Sequence, residues 1–258
     1  MLKISPTELR KIVETSGLLK GGNAQYNVVS LEFYESGIRS WMSGNSLVYV
    51  FNDYSPYKYL CDTNVIVNLR PIEIVKILRN NFRADDLIEL EVQGGDMIMK
   101  GLRDKVKVKL ESTQVKKPEV EMRVFPGTSV EFPMTKKGFY PRYVFAVDST
   151  YLTESEVDAD YFDLTVRDDK LYVEFDAGTY SVSKQMVSTN SYGQLPASEE
   201  RYRLATSIMD YLLTSLSGFV YIGFLGYDEN NEPRPIYISQ RIPENAYKLA
   251  YFVSVIGR

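Results

Sequence analysis

Histidine is missing from this chain altogether, and cysteine occurs once, at Cys61. Histidine is the commonest general base near neutral pH and the commonest ligand of catalytic zinc. Ser-His-Asp, Cys-His and histidine-ligated metal chemistry are therefore excluded. A single cysteine forbids an intrachain disulfide and leaves no thiolate metal cluster, so Cys61 reads as a small buried hydrophobe. No Gly-rich phosphate loop, nucleophile elbow or metal-ligand spacing occurs. Gly21-Gly22 and Gly94-Gly95 are isolated pairs and read as turns. Long apolar runs are missing too: no segment approaches the roughly 20 apolar residues needed to span a bilayer. The opening Met1-Leu2-Lys3-Ile4-Ser5 runs into a polar helix signal rather than a signal peptide. The expectation is a protein inside the cell, without membrane association, cofactor or metal, and not an enzyme.

What is present is an ordinary globular composition, 44% hydrophobic and 25% charged over 258 residues. That length fits one large domain or two of roughly 130 residues. The formal charge of -4 argues against a protein that coats nucleic acid over its whole surface, and leaves room for a basic patch on one face.

Ser5-Pro6-Thr7-Glu8 supplies an N-cap, a proline at the first helical position and a glutamate at the third, followed by Leu9, Ile12 and Val13 at helical spacing. A second helix is predicted from Arg70-Pro71, with Ile74, Ile77 and Leu78 as its apolar stripe. Short β-rich runs at Val28–Tyr34, Leu47–Phe51, Leu87–Val92, Val106–Leu110, Phe162–Val166 and Leu171–Phe175 read as strands, with Asp168-Asp169 as a hairpin turn. The second half repeats the first. Asn64–Leu69, a helix and Leu87–Val92 have their counterpart in Arg201–Leu204, a helix carrying Ile208, Met209, Tyr211, Leu212 and Leu213, and Phe219–Phe224. A counterpart of the first helix begins at Asp148-Ser149-Thr150. Between the halves, Lys116 to Gly138 holds three prolines and weak periodicity and reads as a connector.

Several segments taken in order resemble the proliferating cell nuclear antigen family of sliding clamps. Val67-Asn68-Leu69, Ile74-Val75-Lys76-Ile77-Leu78-Arg79 and Asp85-Asp86-Leu87-Ile88-Glu89-Leu90 are similar to its strand, second helix and strand. Leu9-Arg10-Lys11 looks like the basic turn of its first helix, Ser36-Gly37-Ile38 through Met42 to Leu47-Val48 its early hairpin, Val120–Phe125 the strand entering its interdomain loop, and Leu249–Ile256 its closing strand and tail. The resemblance implies an α+β, ring-forming DNA-clamp fold of two similar domains, each with two helices packed on antiparallel β-sheet. Boundaries are expected at 1–118 and 139–258, with 119–138 as the connecting segment.

The family's function implies a non-enzymatic processivity factor that encircles double-stranded DNA without reading its sequence and tethers DNA polymerase, clamp loader, nuclease or ligase clients through short peptide motifs. Helices facing a central channel would offer Arg10, Lys11, Lys20, Lys76, Arg79 and Arg83 to phosphates. Lys76 and Arg83 are expected on one face of the second helix. The resemblance puts the partner-peptide pocket at Met42, Phe132, Pro133, Met134, Pro235, Phe252, Ser254 and Val255, although the family usually shows Ala-Pro at the positions of Ser254-Val255. It puts the subunit interface on Pro118–Phe125, with Glu121, Arg123 and Phe125, and on Gly178–Met186, with Tyr180, Val182 and Lys184. A homotrimer is the simplest closed ring, with a heterotrimer of related subunits as the other arrangement. The location would be cytoplasmic with the DNA for an archaeal or viral-type divergent member, and nuclear for a eukaryotic one.

The third helical region departs from the family's basic pattern, since Glu154, Glu156, Asp158 and Asp160 make it acidic, and the fourth, Thr206 to Ser217, has Asp210 and no Lys or Arg. Channel charge would then be concentrated on the first domain. A checkpoint-type or accessory subunit of a mixed ring is the alternative within the fold. From another class, a glycosidase using Glu154, Glu156 and Asp158 would need carboxylates facing one another across a cleft, which one acidic turn does not supply.

Overall fold

The computed structural model describes residues 2–256 apart from 25–26, 36, 44–47, 55–63, 85, 113–114, 137, 154–158, 177, 187, 214 and 243–246. Cys61, Glu154, Glu156 and Asp158 lie outside the described residues. In chain order the first elements are β1 (Leu2–Ile4), α1 (Pro6–Gly17), β2 (Leu19–Lys20), β3 (Asn23–Ala24), β4 (Val29–Tyr34), β5 (Gly37–Ser43), β6 (Val48–Tyr54), β7 (Val65–Leu69), α2 (Pro71–Asn81), β8 (Ile88–Gln93), β9 (Asp96–Lys100) and β10 (Lys105–Lys109). They are followed by β11 (Val120–Val124), β12 (Glu131–Thr135), β13 (Tyr143–Asp148), α3 (Thr150–Thr153), β14 (Tyr161–Arg167), β15 (Lys170–Asp176), β16 (Ser181–Gln185) and β17 (Ser188–Gly193). The last are β18 (Glu200–Ala205), α4 (Thr206–Leu213), β19 (Phe219–Phe224), β20 (Ile236–Ile242) and β21 (Tyr247–Val253). Two compact units form, one from residues 1–43, 50–118 and 242–247, the other from 44–49, 119–241 and 248–258. The stretch 119–138, read as a connector, holds the β11–β12 hairpin and groups with the second unit.

Strand pairing is duplicated between the units. In the first, β8 lies between β1 and β9, with β10 on the outer side of β9, while β4 lies between β5 and β7. In the second, β13 pairs β19 and β19 pairs β20, while β14 lies between β15 and β18 and β16 flanks β15. Each set is antiparallel and preceded by the same order of strand, helix and strands, so the repeat legible in the sequence is a repeat of topology. The predicted turns hold: Gly21, Gly22, Gly94, Gly95, Asp168 and Asp169 all have positive φ, as two-residue hairpin turns twisted to match their strands require.

Each helix starts and packs for local reasons. The Ser5 hydroxyl accepts from the Glu8 amide at 3.1 Å, capping α1, and Leu9, Ile12 and Val13 are buried. In α2 the inner stripe is Ile74, Val75 and Leu78, and the predicted Ile77 is only half-buried. A 3.6-residue period lets a stripe widen to either side, and the neighbouring elements choose Val75. The short α3 begins where the Asp148 carboxylate accepts from the Thr150 amide and hydroxyl at 2.9 and 2.8 Å, and these bonds hold its pKa below the usual carboxylate range.

The two helices of the first unit meet where α1 ends. A Cβ on Gly17 would stand 2.5 Å from Leu19 Cδ1 and 2.8 Å from Pro71 Cβ, so only glycine lets the last turn of α1 reach the first turn of α2. Gly17→Ala is expected to destabilise the protein by about 1–3 kcal/mol through overpacking. Urea denaturation followed by circular dichroism checks this, and an unchanged midpoint would show that the contact can relax.

Candidate nucleic-acid interface

The apolar stripes of α1 and α2 turn in, so their polar faces turn out. Lys11, Lys76 and Arg79 are exposed and Arg10 is half-exposed. The packing of α1 on α2 brings Arg79 to Glu14, with Arg79 Nη2 donating to Glu14 Oε1 at 3.0 Å. Arg10, one turn before Glu14 on α1, stands 3.7 Å from the same oxygen. Four of the six expected cations thus lie on two helices in mutual contact.

The other two are placed differently. Lys20 is exposed on β2, at the β2–β3 turn. Arg83 is not on the face of α2 with Lys76: the helix ends at Asn81, Phe82 takes extended backbone (φ -130, ψ 145), and Arg83 belongs to the turn in which its carbonyl accepts from the Asp86 amide. The β9–β10 turn fixes that exit, since a Cβ on Gly101 would meet the Phe82 ring at 2.9 Å. Neither Lys76 nor Arg83 has an ion-pair partner among the described residues. Sequence reasoning passed over Glu14, whose i,i+4 spacing from Arg10 was the available signal.

In the second unit an apolar region forms around the β11–β12 hairpin. Phe132 and Pro133 are buried in it, not exposed, and Met134 is half-buried. Phe132 packs on Tyr237, ring centroids 6.1 Å apart, and Tyr237 on the half-buried Phe252 at 4.9 Å. Burial pushes the Tyr237 hydroxyl pKa up. Phe139, Tyr140, Tyr192 and Tyr221 are half-buried around the same cluster. Pro235, Ser254 and Val255 are also half-buried. The hairpin is fastened from below, Ser239 donating to the Glu131 carbonyl at 2.7 Å and Lys248 to the Glu131 carboxylate at 3.0 Å. Met42 lies on β5 of the first unit, where it is buried.

The expected interface residues divide. Glu121 and Arg123 are exposed on β11 and pair with each other at 2.8 Å, which holds the Glu121 pKa below and the Arg123 pKa above their usual ranges. Phe125 is not an edge residue: it is 4% exposed, stacked on Tyr140 and edge-on to Phe132. Tyr180 and Lys184 are exposed and Val182 is half-buried, with Val182 and Lys184 on β16, an outer strand of its sheet. In the first unit β10 is likewise an outer strand of its sheet, with Lys105, Lys107 and Lys109 exposed and Val106 and Val108 turned to the core side. Its strict Lys-Val alternation marked a one-sided strand in the sequence, and the resemblance drew attention to 118–125 instead.

No family model matches the sequence, and no curated protein matches it. Solved structures do resemble the fold. The PCNA of A. fulgidus, in a structure with the C-terminal region of FEN-1 bound, superposes with a TM-score of 0.72 at 14% identity, covering 99% of this chain and 98% of that one. The PCNA of Entamoeba histolytica gives 0.70 at 11% identity, with 99% and 98% covered. That of Thermococcus kodakaraensis gives 0.69 at 14% identity, with 99% and 100% covered. At these identities the likeness is one of fold, and the fold of this chain, two similar units over its whole length, is that of the PCNA sliding clamps.

Proposed function

We propose that this chain is a subunit of a DNA sliding clamp, a non-enzymatic ring that encircles duplex DNA inside the cell and tethers polymerases, nucleases or ligases to it after opening by a clamp loader. The observation that carries the reading is the group of cations on α1 and α2, two packed helices in a fold that matches sliding clamps over 99% of the chain. Lysine and arginine on rigid helices neutralise phosphates without reaching base edges, so the contact is independent of sequence and permits sliding. A tethered enzyme rebinds its template before it diffuses away, which is how a protein without catalysis raises processivity. Clients would dock short apolar segments on the aromatic region around Phe252, Tyr140 and Pro235, with Phe132, Pro133 and Met134 beneath and beside them.

Ring closure is proposed to use β10 of one copy and β16 of the next, replacing the β11 edge first expected. A free strand edge offers unpaired amides and carbonyls that favour pairing. On the solvent face β10 presents its lysines, and β16 presents Ser181 and Ser183, whose cross-strand neighbours on β15 are Asp176 and Glu174. Glu174 is already paired with Arg167 and Arg201 at 3.1 and 3.4 Å, so the exposed Asp176 behind the short Ser181 is the carboxylate within reach of a long lysine; the edges join head to tail, and three copies close the ring.

Three outcomes test the reading. Light scattering is expected to give about three times the subunit mass, and Lys105→Glu with Lys107→Glu and Lys109→Glu to shift the assembly to monomer at low salt; a wild-type chain that stays monomeric at every concentration overturns the ring. Lys76→Ala with Arg79→Ala is expected to weaken duplex binding and lower the slope of log affinity against log salt by roughly 0.9 per lost contact, leaving assembly intact. An unchanged slope removes these residues from DNA contact. Phe252→Ala is expected to weaken binding of a peptide from the C-terminal region of FEN-1 by about tenfold or more in calorimetry, as loss of an aromatic anchor does, and wild-type affinity would contradict the pocket.

A further inference from the structure

The cation cluster contains its own competitor. Glu14 lies on α1 among Arg10, Lys11, Lys76 and Arg79, and its Oε1 accepts from Arg79 Nη2 at 3.0 Å while standing 3.7 Å from Arg10 Nε. The Arg10 Nε is enclosed and makes no hydrogen bond, so the carboxylate draws two guanidinium groups and bonds one. Resting on the clamp reading, we infer that Glu14 sets the grip of the protein on duplex DNA by competing with backbone phosphates for Arg79 and Arg10.

The argument follows from exposure and from charge. The Arg79 side chain is 57% exposed and that of Glu14 31% exposed, so their pair sits in water. An exposed pair of this kind is weak, and a phosphate oxygen can replace the carboxylate as acceptor. Once the arginine has turned to DNA, Glu14 stays beside it as an uncompensated negative charge a few ångströms from the phosphate path, well inside the screening distance of about 8 Å at physiological salt. Each contact made through Arg79 is therefore offset in part by a repulsion that Lys76, without an ion-pair partner among the described residues, does not carry to the same degree. A carboxylate placed here lets the arginines return to it as the duplex moves, which keeps the hold shallow. A purely structural strut would act in the opposite sense: by holding Arg79 toward DNA it would raise affinity, and its removal would lower it.

The sign of one substitution therefore decides. Glu14→Gln keeps the size and the hydrogen-bond acceptor and removes the charge. In the full-length protein, with assembly confirmed by light scattering, anisotropy with a labelled duplex of arbitrary sequence is expected to show binding about two- to fivefold tighter, the range an exposed ion pair commands. The salt dependence is expected to be steeper, because more charge is released to phosphate contact. The gain should shrink when Arg79→Ala is added, since part of the competition is then already gone. Unchanged or weaker binding by Glu14→Gln, beside wild-type protein that binds, overturns the inference and leaves the clamp reading standing. Absence of duplex binding by wild type and variant alike overturns both.

Discussion

The contact between α1 and α2 is the constraint on which the candidate interface depends. Leu9, Ile12 and Val13 on one helix and Ile74, Val75 and Leu78 on the other are all buried, which fixes which side of each helix faces water. Gly17 removes the one Cβ that would hold the helices apart at Pro71. With both stripes committed, Lys11, Lys76 and Arg79 have only the outer face to occupy, and Arg79 of one helix comes within hydrogen-bonding reach of Glu14 of the other. No residue type in this arrangement is unusual for a helix surface. What distinguishes it is that two short helices pool their charge, while in the second unit the described part of α3 and the whole of α4 contain no lysine or arginine.

Treatment of strand edges follows the same duplication. The outer edge of β7 is met by the Glu111 amide, which donates to the Asn68 carbonyl at 2.9 Å. Its counterpart β18 is met by Tyr227, whose hydroxyl accepts from the Arg201 amide at 2.8 Å and donates to the Arg201 carbonyl at 2.7 Å, and by the Ile256 amide on the Arg203 carbonyl. Both capped edges use the chain itself. Among the described residues, β10 and β16 are paired along one side only, with β9 and β15. Lysine on an edge is a common guard against indiscriminate pairing, and the lysines of β10 serve that purpose toward any edge without carboxylates behind it.

Much of this was legible in the residues. The Ser5-Pro6-Thr7-Glu8 cap, the paired glycine turns and the repeat of strand, helix and strand are local signals, and each is satisfied by bonds within a few residues of its own position. What escaped depended on partners distant in sequence. Periodicity could not choose between Val75 and Ile77, because the elements that cover α2 decide it. Arg83 looked helical at a spacing of seven from Lys76, and only the seat of Phe82 on Gly101 ends the helix before it. The stretch 119–138 is weakly periodic because its hairpin has two short strands whose cross-strand pairs include Pro133 opposite Met122. Phe125 and Phe132 were singled out for surfaces and lie in a core, a frequent fate of large aromatic residues.

On the clamp reading, two sets of charges face the same salt with different consequences. Phosphates along a duplex form a dense linear array, so each helix cation displaces condensed counterions and the effects multiply as contacts are added. The lysines of β10 meet discrete carboxylates at an exposed edge, where each pair contributes little and screening removes little more. Closure there would rest on backbone hydrogen bonds, which are less sensitive to ionic strength. Rising salt should therefore release the duplex from α1 and α2 before it opens the edges, and a topological hold can outlast an electrostatic one. That ordering suits a Glu14 that weakens the direct grip: a ring that already prevents escape gains mobility from loose contacts and loses nothing in retention.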